Sequence, residues 1–229
     1  MYEVIVLKEG YNLDRGTGCQ RANGSVTLLK GQHNIIVDTG SPRDKDKILT
    51  ALKGNGLTPE NINYVVCTHG HVDHVGNLNL FQEAVHIVSY DICIGDNYVI
   101  HDFKSGIPYE IDDFVEVVAT PGHTGADVSV LVKTLQHGNV LVSGDLFECE
   151  EDLENPELWQ ENSENCEMQE ESRIQMLKYA DYIVPGHGPM FKVPDEYKKH
   201  LRVMMIGVYQ ELNFSNIKSS FEYTVLECD

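Results

Sequence analysis

Three imidazoles and one carboxylate fall within six residues of this chain, as His69, His71, Asp73 and His74 in the run Thr68-His69-Gly70-His71-Val72-Asp73-His74. Imidazole nitrogens and ionised carboxylates are lone-pair donors suited to first-row divalent metals. Three more such residues stand downstream in short glycine-bearing segments: His123 in Pro121-Gly122-His123, Asp145 in Ser143-Gly144-Asp145, and His187 in Pro185-Gly186-His187-Gly188. Seven donors exceed the four that one tetrahedral zinc takes, and suit two ions sharing a carboxylate. His69 and His71 can turn from an extended loop toward one ion, joined by His123. Asp73 and His74 can reach a second ion, joined by His187, and Asp145 has an oxygen for each. Two zinc ions so held would bring a shared water's pKa toward neutrality and polarise an electrophile. The resulting bridging hydroxide is the expected nucleophile, oriented by Asp73, so no Ser or Cys nucleophile is needed. Hydrolysis of a phosphodiester or of a thioester fits this scheme, and the donor set also admits iron or manganese.

The elements that must position these residues are mostly apolar strands. Strand-like segments recur at 3–7, 25–29, 34–38, 64–67, 85–88, 115–119, 128–133, 139–143 and 181–184, several of them almost continuously Val, Ile and Leu. Such runs suit sheets covered on both faces. Each candidate ligand then lies at a strand-to-loop junction. Helical spacing predicts helices over 44–53, 167–179 and 195–212, the last entered through Val193-Pro194-Asp195. Cys67, on the apolar run before His69, reads as a buried strand residue rather than a ligand.

Composition narrows the function classes. The 229 residues carry 17 Lys and Arg against 36 Asp and Glu, a formal charge of −19. That balance disfavours nonspecific polyanion binding and lacks the basic footprint of a general nucleic-acid binder. No apolar run approaches the ~20 residues of a membrane span. Met1-Tyr2-Glu3-Val4-Ile5-Val6-Leu7 enters strand-like sequence without a basic leader, so a cytoplasmic or nuclear protein, not a secreted one, is expected. Six cysteines lie far apart with no CxxC pair, which fits free thiols in a reducing compartment. Residues 148–171 hold eleven Asp or Glu and no Lys or Arg. They are expected to form a solvated loop or a fraying helix start, or else a lid that begins close to Asp145. Three residues are candidate substrate contacts: Arg43 and Lys192 as cations for a phosphate, and His101 as a proton donor.

THGHVDH, followed in order by PGHTG, SGD and PGHGP, resembles the metallo-β-lactamase superfamily of metal-dependent hydrolases. The resemblance covers residues 1–193 and implies a four-layer αβ/βα sandwich, an α/β fold with the metals at one edge between two sheets. Residues 194–229 are left as a C-terminal helix and terminal strand, packed on the domain or at a dimer contact. The resemblance also implies that Asp38, in Val37-Asp38-Thr39-Gly40, hydrogen-bonds the ligand loop. His71 in place of a carboxylate disfavours the di-iron flavoprotein branch, and Asp145 disfavours a dedicated antibiotic hydrolase. The pattern fits the glyoxalase II and metallo-nuclease branch, while related mononuclear iron persulfide dioxygenases use only part of the set. Further segments, among them Arg21 to Leu28, Gly76 to Phe81 and Gly144 to Glu148, resemble one group associated with endonucleolytic 3′-end processing of histone pre-mRNA. That resemblance implies an RNA substrate and a homodimer. A glyoxalase II-like thioester hydrolase is the alternative, and a non-enzymatic metal-bearing scaffold a third reading.

Overall fold

Valine and isoleucine crowd the helix backbone but sit well on a pleated surface, and the expected strands form where these residues are dense. The computed structural model describes residues 1–198 apart from Arg15 and Thr17. Along the chain run β1 (Glu3–Lys8), β2 (Tyr11–Asp14), β3 (Gln20–Asn23), β4 (Val26–Lys30), β5 (Asn34–Val37), α1 (Lys45–Gly54), β6 (Tyr64–Cys67), α2 (Val72–Val75) and β7 (Val85–Val88). They are followed by β8 (Asp91–Ile94), β9 (Asn97–Val99), β10 (Tyr109–Asp112), β11 (Val115–Ala119), β12 (Val128–Lys133), β13 (Asn139–Gly144), α3 (Glu157–Gln160), α4 (Cys166–Leu177), β14 (Tyr182–Pro185) and β15 (Phe191–Lys192).

One sheet has the order β1-β4-β5-β6-β7-β8-β9, the other β10-β11-β12-β13-β14-β15, and β2 and β3 form a separate hairpin. Neighbouring residues on the first sheet divide between two cores. Leu29, Ile35, Val37, Val66 and Ile87 meet Val117, Val130, Val142 and Val184 of the second sheet. Leu28, Ile36, Val65 and Cys67 face the other way, against Ile48 and Leu52 of α1. Each such side chain stabilises the fold by roughly 1.5–3 kcal/mol, and burial on both faces explains the continuous apolar runs. Two packed sheets with a helix on the outside of the first match the α/β sandwich expected, and α4 reaches the loop after β13, where Gln169 Nε2 donates to Asp145 O at 3.0 Å.

Two pairs of parallel strands set the location of the site. β5 and β6 run parallel in the first sheet, and β13 and β14 run parallel in the second. Asp38 follows β5, His69 and His71 follow β6, Asp145 follows β13 and His187 follows β14. The carboxyl ends of parallel strands are where open α/β sheets place ligands. The two sheets are stitched there, since Val128 N donates to Thr68 O at 2.8 Å and Ser25 N to Gly186 O at 2.7 Å.

The acidic segment is mostly exposed and does contain a helix start, as expected, but it is more ordered than a loop. It makes a 3₁₀ turn at Glu150–Leu153, then α3, then the start of α4. Arg173 explains the order, because its guanidinium meets Asp152 at 2.7 and 3.0 Å in the interior and lies over the rings of Phe147 and Trp159. The helix expected over 195–212 begins at residue 195, but its continuation and the terminal strand fall outside the described residues. Met1–Val193 forms one compact unit. Among the described residues, no helix is long and apolar enough to cross a membrane.

Candidate metal centre

The structure brings all seven sequence-predicted donors together. His69, His71, His123 and Asp145 form one group whose ligand atoms lie within 4.8 Å of one another, and Asp73, His74 and His187 form a second. In the first group, His71 Nδ1 stands 2.9 Å from His69 Nε2 and 3.1 Å from His123 Nε2. Zinc–nitrogen bonds of ~2.0–2.1 Å would set ligand atoms of one tetrahedron ~3.3 Å apart, so this spacing is that of shared coordination. Asp145 lies between the groups. Its Oδ2 is 3.6 Å from His69 Nε2, 3.3 Å from His123 Nε2 and 3.2 Å from His187 Nε2, while its Oδ1 is 3.2 Å from His74 Nε2. His74 Nε2 and Asp145 Oδ1 are both buried without a hydrogen-bond partner. Unpartnered interior polar atoms are costly, and facing donor atoms of this type fit divalent cations.

The rings are aimed by their other nitrogens. Asp38 Oδ2 sits 2.8 Å from His74 Nδ1, and Asp38 Oδ1 accepts from Thr68 N at 2.8 Å. Thr68 Oγ1 in turn lies 3.1 Å from His69 Nδ1. Asp38 therefore occupies the supporting position the resemblance implied, and ties the two groups together. It does so from a left-handed backbone at φ 59°, a conformation Asp tolerates better than most residues. The Asn23 carbonyl faces His187 Nδ1 at 3.3 Å. Asp127 accepts from Gly122 N and Thr124 N at 3.1 and 2.6 Å and so fixes the loop carrying His123. Gly186 has a steric role: a Cβ there would strike Asp145 Oδ1.

Burial pulls His69 well below the ordinary imidazole value and lowers His123, which leaves both as neutral donors. Burial also opposes charge on His74 and His187, but the carboxylates beside them prevail. Asp145 and Asp38 raise His74 well above its usual value, and Asp145 lifts His187 to about 9. Asp145 is held well below the carboxylate range, since His74 and His187 outweigh its burial. Burial, then Asp145, pushes Glu148 up to about 8. Cations at these ligand atoms would displace the imidazole protons.

A cleft opens over the centre, lined by Asn12, Gln20, Ala22, Asn162 and Glu148 together with Asp73 and three of the imidazoles. The three expected substrate contacts are not brought to it. Arg43 is exposed in the turn before α1, where Lys8, not Arg43, pairs with Asp44 at 3.5 Å. His101 packs edge-on against Phe103 and Tyr109, with Nε2 2.9 Å from the Ile107 carbonyl. Lys192 is exposed on β15. Sequence reasoning missed Glu148, Asn162 and the β2–β3 residues. Of these only Glu148 had a signal, its place three residues after Asp145.

Comparison with known proteins agrees with this architecture. Residues 20–91 match the family model described as Metallo-beta-lactamase superfamily. Metallo-beta-lactamase domain-containing protein 1 of Xenopus laevis is 50% identical over 194 residues, spanning 84% of this chain and 82% of the relative. The Homo sapiens protein of the same name is 41% identical over 222 residues, spanning 84% and 82%. Among solved structures, a metallo-beta-lactamase-fold protein of Thermotoga maritima superimposes with a TM-score of 0.63 at 22% identity, covering 83% of this chain and 99% of its own. That last likeness concerns the fold alone.

Proposed function

This chain belongs to the metallo-β-lactamase superfamily of metal-dependent hydrolases, and from that premise we propose that it is a two-metal endoribonuclease cleaving RNA phosphodiester bonds. The observation that carries the hydrolase reading is the convergence of the seven donors into two adjoining groups, with Asp145 in contact with imidazoles of both. The choice of RNA rests on the resemblance of Arg21 to Leu28, Gly76 to Phe81 and Gly144 to Glu148 to the group associated with histone pre-mRNA processing. His69, His71, His123 and Asp145 would hold one ion, and Asp73, His74, His187 and Asp145 the other. Bound there, two zinc ions would supply Lewis acidity and an activated water.

The protein's own contribution is order. Asp38 and Thr68 fix ring orientation before substrate arrives, so little reorganisation is needed during reaction. Asp73, 23% exposed at the side chain, faces the cleft and can accept a hydrogen bond from an attacking water. Asn12, Gln20 and Asn162 offer both donors and acceptors to substrate.

A second reading has its own observation. Among the described residues, no Lys or Arg lines the cleft, which suits a small ester or thioester better than a polyanion. The test is turnover of the zinc-loaded protein on a short single-stranded RNA, with matched DNA and S-lactoylglutathione alongside. RNA cleavage lost on chelation and restored by zinc supports the nuclease. Thioester hydrolysis without RNA cleavage replaces it with the second reading.

A further inference from the structure

Among the described residues, Glu148 is the one buried carboxylate in the cleft wall that the seven-donor scheme leaves unused. It is 4% exposed, and its Oε2 has no hydrogen-bond partner. Oε2 lies 3.9 Å from His187 Nε2, and Asp145, Glu148 and His187 form a third group whose donor atoms lie within 4.8 Å of one another. Its other oxygen has only a long contact, 3.5 Å from Asn162 Nδ2.

The backbone that carries Glu148 is fixed on both sides. Glu148 N donates to Asp152 Oδ2 at 2.7 Å, and its carbonyl accepts from His187 N at 2.8 Å. Asp152 is neutralised by Arg173. Two acidic residues four apart in one segment are thus treated differently: Asp152 has a two-pronged Arg173 partner at 2.7 and 3.0 Å, and Glu148 has only the more distant His187 imidazole at 3.9 Å. An interior carboxylate beside a second carboxylate is costly unless a cation faces it. Oxygen and nitrogen atoms that share one ion at ~2.0–2.2 Å lie no more than ~4.4 Å apart, and the 3.9 Å to His187 is within that limit.

We propose that Glu148 is an eighth ligand of the metal centre, binding through Oε2 beside Asp145 and His187. The proposal rests on the two-ion reading above and makes the two positions unequal. The first keeps three imidazoles and the shared carboxylate, a four-donor set suited to zinc. The second has two imidazoles and three carboxylates, and oxygen-rich sets of five donors suit manganese.

The test uses the full chain, stripped of metal, given one equivalent of zinc and titrated with Mn²⁺ while free Mn²⁺ is read by electron paramagnetic resonance. Circular dichroism checks that each variant is folded. Wild type is expected to take up one Mn²⁺ per chain. Glu148→Gln, nearly isosteric, is expected to weaken that uptake at least about tenfold and to leave the zinc affinity of the first equivalent unchanged. Equal Mn²⁺ affinity in Glu148→Gln and wild type overturns the proposal, as does an equal loss in Asn162→Ala, which would signal mere disturbance of the cleft wall. Wild type that holds a single ion in total overturns the two-ion reading itself, a result distinct from either.

Discussion

The two halves of the metal centre are built differently. His69, His71 and His123 come from loops after β6 and β11, and their donor atoms are all imidazole nitrogens, with His71 Nδ1 2.9 Å from His69 Nε2 and 3.1 Å from His123 Nε2. Asp73, His74 and His187 are spread more widely, with Asp73 Oδ2 4.0 Å from His74 Nε2 and 3.9 Å from His187 Nε2. The first half is compact and built of imidazoles; the second is looser and includes a carboxylate, and both line the cleft. On the two-ion reading proposed above, the difference would separate two tasks: one position to anchor an ion, the other to keep room for substrate and water. Asp145 belongs to both, and Asp38 reaches both through Thr68 and His74.

The comparison breaks most completely at Asp145. Asp145→Ala removes the carboxylate that touches both groups and is expected to lower turnover on the order of 10³-fold, about 4 kcal/mol of barrier, as read by initial rates on the zinc-loaded protein. Next in size is the frame behind the second half. Arg173→Met strands Asp152 in the interior, and breaking such a buried pair costs about 3–5 kcal/mol. Urea denaturation should show that loss. An unchanged midpoint would mean that the acidic segment does not depend on the pair.

Asp38→Asn sharpens the contrast between halves. The amide can still accept from Thr68, yet it cannot balance charge on His74, so weaker metal binding of about 10–100-fold is expected, concentrated in the second ion. Equal weakening of both ions would argue against separate tasks. Acidity tests the same point in the chelated protein. His187, raised to about 9 by Asp145 against its burial, contributes stability that is complete below pH ~6.5, its unfolded value, and is lost as pH rises toward 9. The thermal midpoint of the chelated protein should therefore fall across that window. With zinc it should rise, because ligands must shed protons to bind. Parallel curves would contradict the ligand assignment. The smallest effects belong to Arg43→Ala, His101→Ala and Lys192→Ala, each expected within about twofold of wild-type turnover, since surface changes are usually minor.

Much of the fold and nearly all of the centre are legible in the amino-acid sequence. Continuous apolar runs such as Ile35-Ile36-Val37 and Tyr64-Val65-Val66-Cys67 are legible because burial on both faces leaves no polar alternation to misread. The donors are legible because ligand chemistry restricts residue type at each position. The β2–β3 hairpin is not: Gln20-Arg21-Ala22-Asn23 is polar and mostly exposed, and its strand character comes from pairing rather than from local propensity. The order of residues 148–171 is hidden because its stabilising cation, Arg173, lies just beyond the acidic block. Arg43, His101 and Lys192 lie outside the cleft lining. Position in sequence says little about which way a surface side chain faces.

The most direct measurement is the number of metal ions retained per chain after dialysis, by elemental analysis of wild type and Asp145→Ala. The account predicts two ions in wild type and no more than one in the variant. Two ions retained by Asp145→Ala, or a single ion in wild type, would contradict it.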